Sequence, residues 1–530
     1  MNVFRKISES LDSAEEYDKL DRLVAYCKKN KYLFCDKQFP PKPESLFGDP
    51  PHPEYNNQFE KVDWARPKNI FGSQPYHLFN NINPSDILQG SLGHCYFMCS
   101  LSAIAEQPEL VKRLFKYDTL NEFGVVGVWL NINGGWRMYV LDEYLPVNKD
   151  SNPKTLSFSR SVENELWVMY LEKAYAKAYG SYFDIIGGDP VHALRDLTGA
   201  PYEYACDFDD LSAVWKKLLN YNDTNFIFVG WTKSTTVVEE KSASGLVSGH
   251  AYSILNVQEV KDSTGKLARI MQIRNPWGRF EWTGDFNDKS PLWTPELKKK
   301  LGVQERDDGL FWMRIEDFIK DFGGIGILKI MPDYFFDSVM VEQSLEDKSG
   351  KSVFRLNVPS DTVGTISLDQ VDSRIVDEKE YTYSYFRVTL ARIESNKVIE
   401  TVCTVASPDR NIFIETELKK GTYVILVEGY WMTDFVRSFC VSTYTRDKVQ
   451  LYSLNLNASA FDTLEYLAWK TFLIRNKSQL TPDGQRTING DGPVHLEQYK
   501  YKSPTGYFVL YCTFNNSKSQ PAQLTYKLNY

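Results

Sequence analysis

The amino-acid sequence predicts an α+β protein. Its core has two lobes, one helical and one an antiparallel sheet, and a β-sandwich follows. Apolar residues recur at helical spacing up to about residue 200, β-rich runs begin near Pro201, and almost only strand patterns follow Met331. The predicted segments are an N-terminal helical piece at 1–32, a helical lobe at 33–200, a β-rich lobe at 201–333, a β-sandwich at 334–455 and a small β-rich module at 456–530.

The composition excludes some classes of protein. The chain has 530 residues, 42% of them hydrophobic, so we expect about two to four domains with packed cores. A formal net charge of −8 argues against a general nucleic-acid binder. The eight cysteines are scattered without a CxxC pair, which fits a reducing compartment. Because no apolar stretch resembles a signal peptide or a membrane span, the sequence predicts a soluble, cytoplasmic protein.

The elements of the helical lobe are predicted from helical spacing and from prolines. Residues Glu163 to Tyr179 carry apolar side chains along one face, as in an amphipathic helix. The prolines between Phe39 and Pro53 predict an extended, non-helical segment. We also expect a helix at Asp12 to Lys29, an extended piece at Asp63 to Pro67, and strands at Phe123 to Leu130 and Trp136 to Leu145.

The β-rich regions are predicted from runs of β-branched and aromatic residues between turn signals. A helical lobe that faces such a sheet creates a cleft, and active sites commonly lie in clefts of this kind. The predicted strands are Phe226 to Trp231, Ala251 to Val260 and Leu267 to Arg274 in the second lobe, then Val353 to Val358, Tyr383 to Ile393, Ile412 to Ile414 and Gly421 to Val427 in the sandwich, with a short helix from Ala458 and strands at Gly506 to Phe514 and Ala522 to Leu528.

The stretch from Gln89 to Cys95 is the first candidate for chemistry. The apolar run from Tyr96 to Ala105 predicts a buried helix that begins at or next to the cysteine. A thiol in the first turn of a helix meets unpaired backbone N–H groups that favour its thiolate. The side-chain amide of Gln89 and the backbone N–H of Cys95 would form an oxyanion hole. In the alternative interpretation Cys95 only fills the core, since cysteine is among the most buried residues.

His250 is the candidate base among the six histidines. It follows a glycine at the entrance to a predicted strand, and Asn275 ends a later strand directly before a proline. The order cysteine, histidine, asparagine is that of a papain-type thiol hydrolase. His250 would take the thiol proton, Asn275 would orient the imidazole and Trp277 would cover their hydrogen bond. The alternatives are an ordinary loop-edge histidine and a tryptophan that only packs in the core.

Several motifs make the pattern specific. They are Gln89–Cys95, Leu171–Lys177, Gly249–Ser253, and Arg274–Gly278 with Glu281–Gly284. Together they resemble the calpain family of cysteine proteases over roughly Leu33 to Pro332. The resemblance implies a papain-like core and a C2-like β-sandwich, with Cys95 as nucleophile, His250 as base, Asn275 as orienting residue and Gln89 as oxyanion-hole donor.

Two residues depart from the family pattern. His94 and Tyr96 flank the cysteine where the family usually has an aspartate and a tryptophan. A base needs hydrogen-bond reach to the thiol, so His94 is the less favoured alternative to His250. Tyr96 keeps an aromatic ring at its position, which predicts that packing there is preserved.

The same resemblance implies regulatory calcium in the core, because loops rich in carboxylates suit a hard cation. Leu310 stands where the family usually has another carboxylate, and solvated surface acids are the alternative for the second site. No EF-hand loop is visible, so neither an EF-hand domain nor a small subunit is expected. The implied ligands are Asp86 and Glu165 for the first site, and Glu281, Asp288 and Asp308 for the second.

The leading hypothesis is a calcium-regulated intracellular cysteine endopeptidase that cuts protein substrates at few positions through a thioester on Cys95. Calcium would close the two lobes and bring His250 to the thiol. The C2-like sandwich would make calcium-dependent contact with phospholipid or protein. One alternative is a calpain-like scaffold without activity. Another is a transglutaminase-like acyltransferase, against which Asn275 weighs because those enzymes normally use an aspartate.

Overall fold

A computed structural model describes residues 13–48, 59–222, 224–234, 240–331, 333–343, 350–376, 381–395, 397–432, 437–476, 481–490, 492–502 and 508–516. None of the helices in these ranges combines the length and apolar character needed to cross a bilayer. The helices are α1 (Ser13–Asn30), α2 (Glu44–Phe47), α3 (Pro67–Phe71), α4 (Cys95–Ala105), α5 (Pro108–Lys112), α6 (Trp167–Tyr179), α7 (Pro190–Thr198), α8 (Leu211–Asn222), α9 (Pro295–Leu301), α10 (Ile315–Asp321) and α11 (Ala458–Asn476).

All the strand pairs recorded in the sheets of the described ranges are antiparallel. The strands are β1 (Val62–Ala65), β2 (Ile87–Leu88), β3 (Val125–Ile132), β4 (Gly135–Asp142), β5 (Leu145–Asn148), β6 (Arg160–Ser161), β7 (Tyr202–Ala205), β8 (Ile227–Thr232), β9 (Ala251–Lys261), β10 (Leu267–Arg274), β11 (Leu310–Arg314), β12 (Phe322–Leu328), β13 (Phe335–Glu342), β14 (Lys351–Val358), β15 (Thr362–Gln370), β16 (Tyr385–Glu394), β17 (Lys397–Ser407), β18 (Asn411–Leu418), β19 (Gly421–Tyr430), β20 (Ser438–Thr445), β21 (Gln450–Leu454), β22 (Thr481–Gly490), β23 (Gly492–Lys502) and β24 (Phe508–Asn516).

The first lobe packs helices and small two-stranded sheets around α4. The pairs β1–β5, β2–β6 and β3–β4 form those sheets, so this lobe is less purely helical than its sequence predicts. The expected extended segment from Phe39 to Pro53 is wrong at α2, where Pro43 serves as the helix N-cap; its last residues lie outside the described ranges. Helix α6 begins at Trp167 rather than at Glu163, because Asn164 adopts a left-handed backbone with φ 56° and ends any earlier helical turn.

The second lobe is one six-stranded sheet in the order β11-β10-β9-β8-β12-β7. The strands predicted at Ala251 to Val260 and Leu267 to Arg274 are confirmed as β9 and β10. Helix α8 packs on this sheet through Trp215 and Leu218, and the sequence prediction did not include it. A register shift between Gln272 and Ile273 bends β10 just before it ends, which re-aims the residues that follow it.

The region after β12 is a β-sandwich. A four-stranded sheet, β13-β20-β15-β18, faces a five-stranded sheet, β17-β16-β19-β14-β21, and side chains of both fill one apolar core that includes Phe354 and Phe439. The outer face of the larger sheet is covered by α11 through Phe461 and Ala468. This helix has 19 residues and is longer than the short piece that the sequence predicts. Strands β22, β23 and β24 form a separate sheet, and the strand expected at Ala522 to Leu528 lies outside the described ranges.

Buried charges join the sandwich to the first lobe. Arg195 of α7 pairs with Asp369 of β15 at 2.9 Å, and these side chains are 2% and 0% exposed. Arg195 also donates to Ser367 Oγ at 2.8 Å. A second arginine, Arg410, pairs with Asp196 at 2.6 Å across the same interface. Charges this deeply buried are tolerated only when each one has partners, so the interface holds its two halves in one relative position.

Replacing Arg195 by alanine is expected to lower the free energy of unfolding by about 3–5 kcal/mol, because Asp369 would remain as a buried carboxylate without its cation. Urea unfolding followed by circular dichroism measures the change. Lys419→Ala is the matched control, since Lys419 pairs with Asp361 at 3.3 Å while both side chains are about 60% exposed. Because solvent screens such a surface pair, this variant should unfold almost like the parent protein. Equal costs for the two variants would contradict the structural importance of the buried pair.

Candidate active site

Cys95 is the first residue of α4 and the only one in that helix that is not fully buried. The N–H groups of Phe97 and Met98 both bond to the carbonyl oxygen of His94, at 3.0 and 3.2 Å. The N–H groups of the two residues before them lie in the first turn, where an α-helix offers no internal acceptor. A negative charge on the Cys95 sulfur would therefore meet backbone donors and the positive end of the helix dipole.

His250 immediately precedes β9 and is only 1% exposed. Gly249 before it has φ 59°, a left-handed backbone that glycine adopts at low cost. The backbone of His250 is held from both sides by Thr232: the N–H donates to Thr232 Oγ1 at 2.9 Å, and the carbonyl accepts from Thr232 N at 2.9 Å. The sheet therefore fixes where the imidazole stands.

Asn275 determines which ring nitrogen of His250 is basic. Its Oδ1 lies 2.9 Å from His250 Nε2 and also accepts the N–H of Trp277 at 3.0 Å. Its Nδ2 donates to the carbonyl oxygen of Phe280 at 3.3 Å, so the amide is oriented by three contacts. Because Oδ1 can only accept, Nε2 carries the hydrogen and Nδ1 is the nitrogen that can accept a proton.

Burial lowers the pKa of His250 to about 4, while its hydrogen bond to Asn275 works in the opposite direction. A buried imidazole resists protonation because its charged form is poorly solvated. At neutral pH the ring is consequently in its neutral form, which is the form required of a general base.

Trp277 covers the imidazole and connects it to the other lobe. Its ring centroid lies 4.6 Å from that of His250 at an interplanar angle of 51°. Its Nε1 donates to Gln89 Oε1 at 3.1 Å. Gln89 Nε2 in turn donates to the carbonyl oxygen of Leu92 at 2.8 Å, which leaves the second N–H of that nitrogen for another acceptor. The role of Gln89 in an oxyanion hole stays a prediction.

Helix α4 packs directly on β9, and this contact joins the two lobes. Ser102 Oγ on the helix lies 3.3 Å from Ser253 Oγ on the strand, and Arg274 donates to the carbonyl oxygen of Ile87 at 3.1 Å. Burial and, to a smaller extent, negative charge on Cys95 raise the pKa of Tyr252, the second residue of β9. Helix α4 therefore packs on the first residues of β9, which directly follow His250.

His94 does not have the surroundings of a base. Its side chain is completely buried, with Nδ1 at 2.9 Å from the carbonyl oxygen of Leu92 and Nε2 at 2.6 Å from Glu172 Oε1. Both nitrogens are thus engaged inside the first lobe, and the ring stacks on Phe97. The partner Glu172 was not assigned a role from sequence, although it lies inside the Leu171–Lys177 motif.

Tyr96 links the helix of Cys95 to the sandwich. Its hydroxyl accepts a hydrogen bond from Arg374 Nη1 at 2.6 Å. The Arg374 guanidinium also lies over the ring of Tyr179 at 4.1 Å and bonds Asp372 at 3.0 Å. No local pattern in the sequence indicates a contact between residues so far apart in the chain, and only the tertiary fold reveals it.

The first pair of predicted calcium ligands is brought together. Asp86 is 2% exposed and accepts the N–H of Asn83 at 2.8 Å. Glu165 is completely buried, and its Oε2 accepts a hydrogen bond from Trp167 Nε1 at 2.7 Å. Burial and then the negative charge of Glu165 raise the pKa of Asp86 to about 7. Asp86, a carboxylate whose ionisation is disfavoured by burial and by the charge of Glu165, is the donor type that a hard cation stabilises.

The second set of predicted ligands lies in the second lobe. Glu281 Oε1 accepts the N–H groups of Asp308 and Gly309 at 2.9 and 3.0 Å. Burial and then the charge of Asp288 raise the pKa of Glu281 to about 7, and burial also raises the pKa of Asp288 to about 6. Within the residues that the structure describes, however, no three His, Cys, Asp or Glu side chains are arranged to hold a metal ion. Calcium binding at either set stays a prediction.

A half-buried cysteine at a helix start, opposite a histidine–asparagine pair on a sheet, is typical of the cysteine protease class. Comparison with known families agrees, since the model described as "Calpain family cysteine protease" matches residues 34–329. The chain therefore belongs to the calpain family, which confirms the family predicted from its motifs.

Relatives with this domain come from plants and animals. The calpain-type cysteine protease DEK1 of Zea mays is 36% identical over 329 residues, covering 59% of this chain and 14% of that protein. The calpain-2 catalytic subunit of Rattus norvegicus is 31% identical over 354 residues, covering 62% of this chain and 49% of that protein. The chain thus spans about half of the rat relative and far less of the maize one.

A search of solved structures finds a clostridial cysteine protease, Cwp84, with 12% sequence identity and a TM-score of 0.21 over 72% of this chain and 87% of that chain. Similarity at this level carries no argument about the fold.

Gly309→Ala is expected to disturb the site through Asn275. Gly309 has φ 81°, and a Cβ there would lie 2.8 Å from the Asn275 carbonyl oxygen. The variant should lose about 1 kcal/mol of stability to backbone strain and slow the labelling of Cys95 by an epoxide inhibitor about tenfold or more, because small displacements of reacting groups are costly. Mass spectrometry of the Cys95 peptide gives the labelling rate.

Gly265→Ala is the matched control, since Gly265 has the same φ of 81° but nothing within 4 Å of the added Cβ. Its backbone strain should lower the Tm, while the rate at which Cys95 is labelled should equal that of the parent protein. Equal labelling rates in the two variants would show that the position of Asn275 does not depend on Gly309.

Proposed function

We propose that this chain is a calcium-regulated cysteine endopeptidase in which Cys95, His250 and Asn275 act as the catalytic triad. The observation that carries the proposal is the orientation of Asn275. Its oxygen accepts both His250 Nε2–H and the N–H of Trp277, which leaves Nδ1 as the basic nitrogen. This is the arrangement that a thiol protease needs, because the base must be neutral and held in one tautomer.

The reaction begins with transfer of the Cys95 thiol proton to His250 Nδ1. The thiolate then attacks the carbonyl carbon of a peptide bond, and the negative oxygen is held by the backbone N–H of Cys95 and by Gln89. Collapse of this intermediate breaks the C–N bond, and His250 gives its proton to the leaving amine. Water, deprotonated by His250, hydrolyses the thioester and regenerates the thiol.

Trp277 assists by keeping solvent from the pair behind it. Both His250 and Asn275 are almost completely buried, at 1% and 0% exposure. In such a setting their hydrogen bond is stronger than it would be in water. The indole N–H bonds Gln89, so one hydrogen bond links the cover over His250 in the second lobe to the proposed oxyanion donor in the first.

Cys95→Ser should abolish cleavage of casein and labelling by an epoxide inhibitor, since the hydroxyl is a far weaker nucleophile here. Asn275→Ala should lower kcat/KM on the order of a hundredfold or more, because the imidazole loses its orientation. The control is Cys206→Ser, which removes an exposed thiol outside the site. Undiminished cleavage by Cys95→Ser would end the proposal. A folded parent protein that neither cleaves nor labels would favour the scaffold alternative instead.

Calcium belongs to the same proposal, and the residues of the first pair fit it. Asp86 and Glu165 supply carboxylate oxygens, both are buried, and the charge of Glu165 raises the cost of ionising Asp86. A bound calcium ion would supply the positive charge that lets Asp86 ionise beside Glu165. The two residues would then hold the turn before β2, and with it Gln89, against the start of α6.

The pH dependence of stability tests this idea. The pKa of Asp86 in the folded protein is about 7, above its ordinary value of 3.8. Its contribution to stability is therefore present at low pH and is lost as the pH rises through 7. Calcium should offset the loss, so millimolar CaCl2 should raise Tm by several degrees at pH 8 and by less at pH 5.5.

Glu165→Gln should remove this difference between the two pH values, since only one carboxylate would remain. Asp288→Asn serves as the comparison, because it changes the second set of acids and leaves the first intact. A calcium effect on Tm that is equal at both pH values in the parent protein would contradict the assignment to Asp86 and Glu165.

The remaining features of the proposal concern the rest of the chain. We include a C2-like role for the sandwich, with calcium-dependent contact to phospholipid or protein, and a cytoplasmic location without an EF-hand small subunit. Substrates are proteins cut at few positions, which agrees with a cleft between two lobes rather than a closed pocket.

A further inference from the structure

A pocket of about 350 Å³ lies at the seam of the two lobes. One wall is the loop of residues 88–93, which leads into the cysteine, and the other contains Trp277 and Arg279. Arg160 of β6 completes the lining. Gln89 and Trp277, which are hydrogen-bonded to each other, both line this pocket, so it adjoins the predicted oxyanion-hole donor and the indole that covers His250.

The two arginines face the pocket from different lobes. Arg160 is the direct cross-strand partner of Leu88, so their side chains project from the same face of the β2–β6 pair. Leu88 meets the other lobe at Gly278, where an added Cβ would lie 2.7 Å from Leu88 Cδ2. Arg279 follows Gly278 in the chain. The guanidinium groups therefore stand on either side of this contact between the lobes.

The pocket is positively charged. Among the described residues that line it, none is an aspartate or a glutamate. Among the ion pairs between described residues, neither Arg160 nor Arg279 has a carboxylate within 4 Å. The acid nearest in sequence to Arg279 is Glu281, whose carboxylate accepts two backbone N–H groups instead. Both arginines are exposed, so their guanidinium groups are open to a ligand that enters the cleft.

We propose that Arg160 and Arg279 form a subsite for a carboxylate of the substrate, close to the bond that is cut. The proposal rests on the proposed function, since it names the substrate class of that same site. Guanidinium groups pair with carboxylates through two parallel hydrogen bonds, which gives both affinity and orientation. The carboxylate belongs either to an aspartate or glutamate side chain within a longer protein, or to the free C-terminus of a shortened one.

The test uses quenched fluorescent peptides of one sequence with glutamate, glutamine or lysine scanned through the positions around the cut. At one position the parent protein should prefer glutamate over glutamine by about tenfold in kcat/KM, the effect of one charge-assisted hydrogen bond. The double variant Arg160→Glu, Arg279→Glu should invert the order and prefer lysine. Peptides truncated at that position, with a free or an amidated C-terminus, show whether the subsite binds an acidic side chain or a free C-terminal carboxylate.

Arg355→Gln is the matched control, because Arg355 is exposed on β14 in the sandwich and bonds only Asn357 among its described side-chain partners. It changes the net charge without touching the pocket, so its glutamate-to-glutamine ratio should equal that of the parent protein. The proposal would be overturned if the glutamate-to-glutamine ratio of kcat/KM were near one in the parent protein. It would also be overturned if the parent protein and the double variant had the same ratio.

A binding measurement separates this proposal from the proposed function. Fluorescence anisotropy with Cys95→Ser protein compares glutamate and glutamine peptides without any cleavage. The glutamate peptide should bind about tenfold more tightly than the glutamine peptide, and the double variant should lose this preference. That result supports the carboxylate subsite even if no peptide is cut. Equal affinities for the two peptides, in a protein whose parent cleaves them, would refute the subsite and leave the protease function intact.

Discussion

The burial of the helix that begins at Cys95 is the constraint on which the rest of the structure depends. Residues Tyr96 to Ala105 are all buried, and only the cysteine reaches the cleft. The helix contacts α7 in its own lobe, β8 and β9 in the second lobe, and Arg374 of the sandwich. A protein interior is close-packed, so a helix held on all sides cannot shift without displacing its neighbours. The position of one sulfur is thereby set by the whole molecule.

The three units are joined by different kinds of contact. The sandwich is tied to the first lobe by buried ion pairs such as Arg195 with Asp369, and despite burial Arg410 and Arg374 hold the pKa of Asp372 well below its usual range. The two lobes meet through α4 on β9 and through hydrogen bonds such as Trp277 with Gln89 and Arg274 with the carbonyl oxygen of Ile87, and no ion pair between described residues joins them. Separating a buried ion pair costs far more than separating a single hydrogen bond. Relative motion is therefore expected at the cleft and not at the sandwich.

Local patterns were sufficient to predict most elements around the site. Helix α4, the hairpin β3–β4 and strands β9 and β10 lie close to where apolar periodicity placed them, because each buries one continuous face. The prediction was wrong at α2, where a proline starts a helical turn instead of preventing one, and it did not include α8. It also placed the start of α6 at Glu163, too early by four residues. Asn164 has a left-handed backbone, which is incompatible with a helix there, and the carboxylate of Glu165 is buried and bonded to Trp167. These cases were decided by contacts outside the local window.

The sequence by itself determined the chemistry that is available: the order cysteine, histidine, asparagine, the glycine-rich approach to the thiol, and the family to which the chain belongs. Those features are local, since a helix start or a strand end can be read from a few neighbouring residues. Only the tertiary structure decided the partners. In the folded chain the two ring nitrogens of His94 lie within hydrogen-bond distance of Leu92 and Glu172, and Arg374 donates to the hydroxyl of Tyr96. Arg160 and Arg279 line one pocket. The reason is physical: hydrogen bonds and ion pairs between distant segments exist only after the apolar cores have fixed those segments relative to each other.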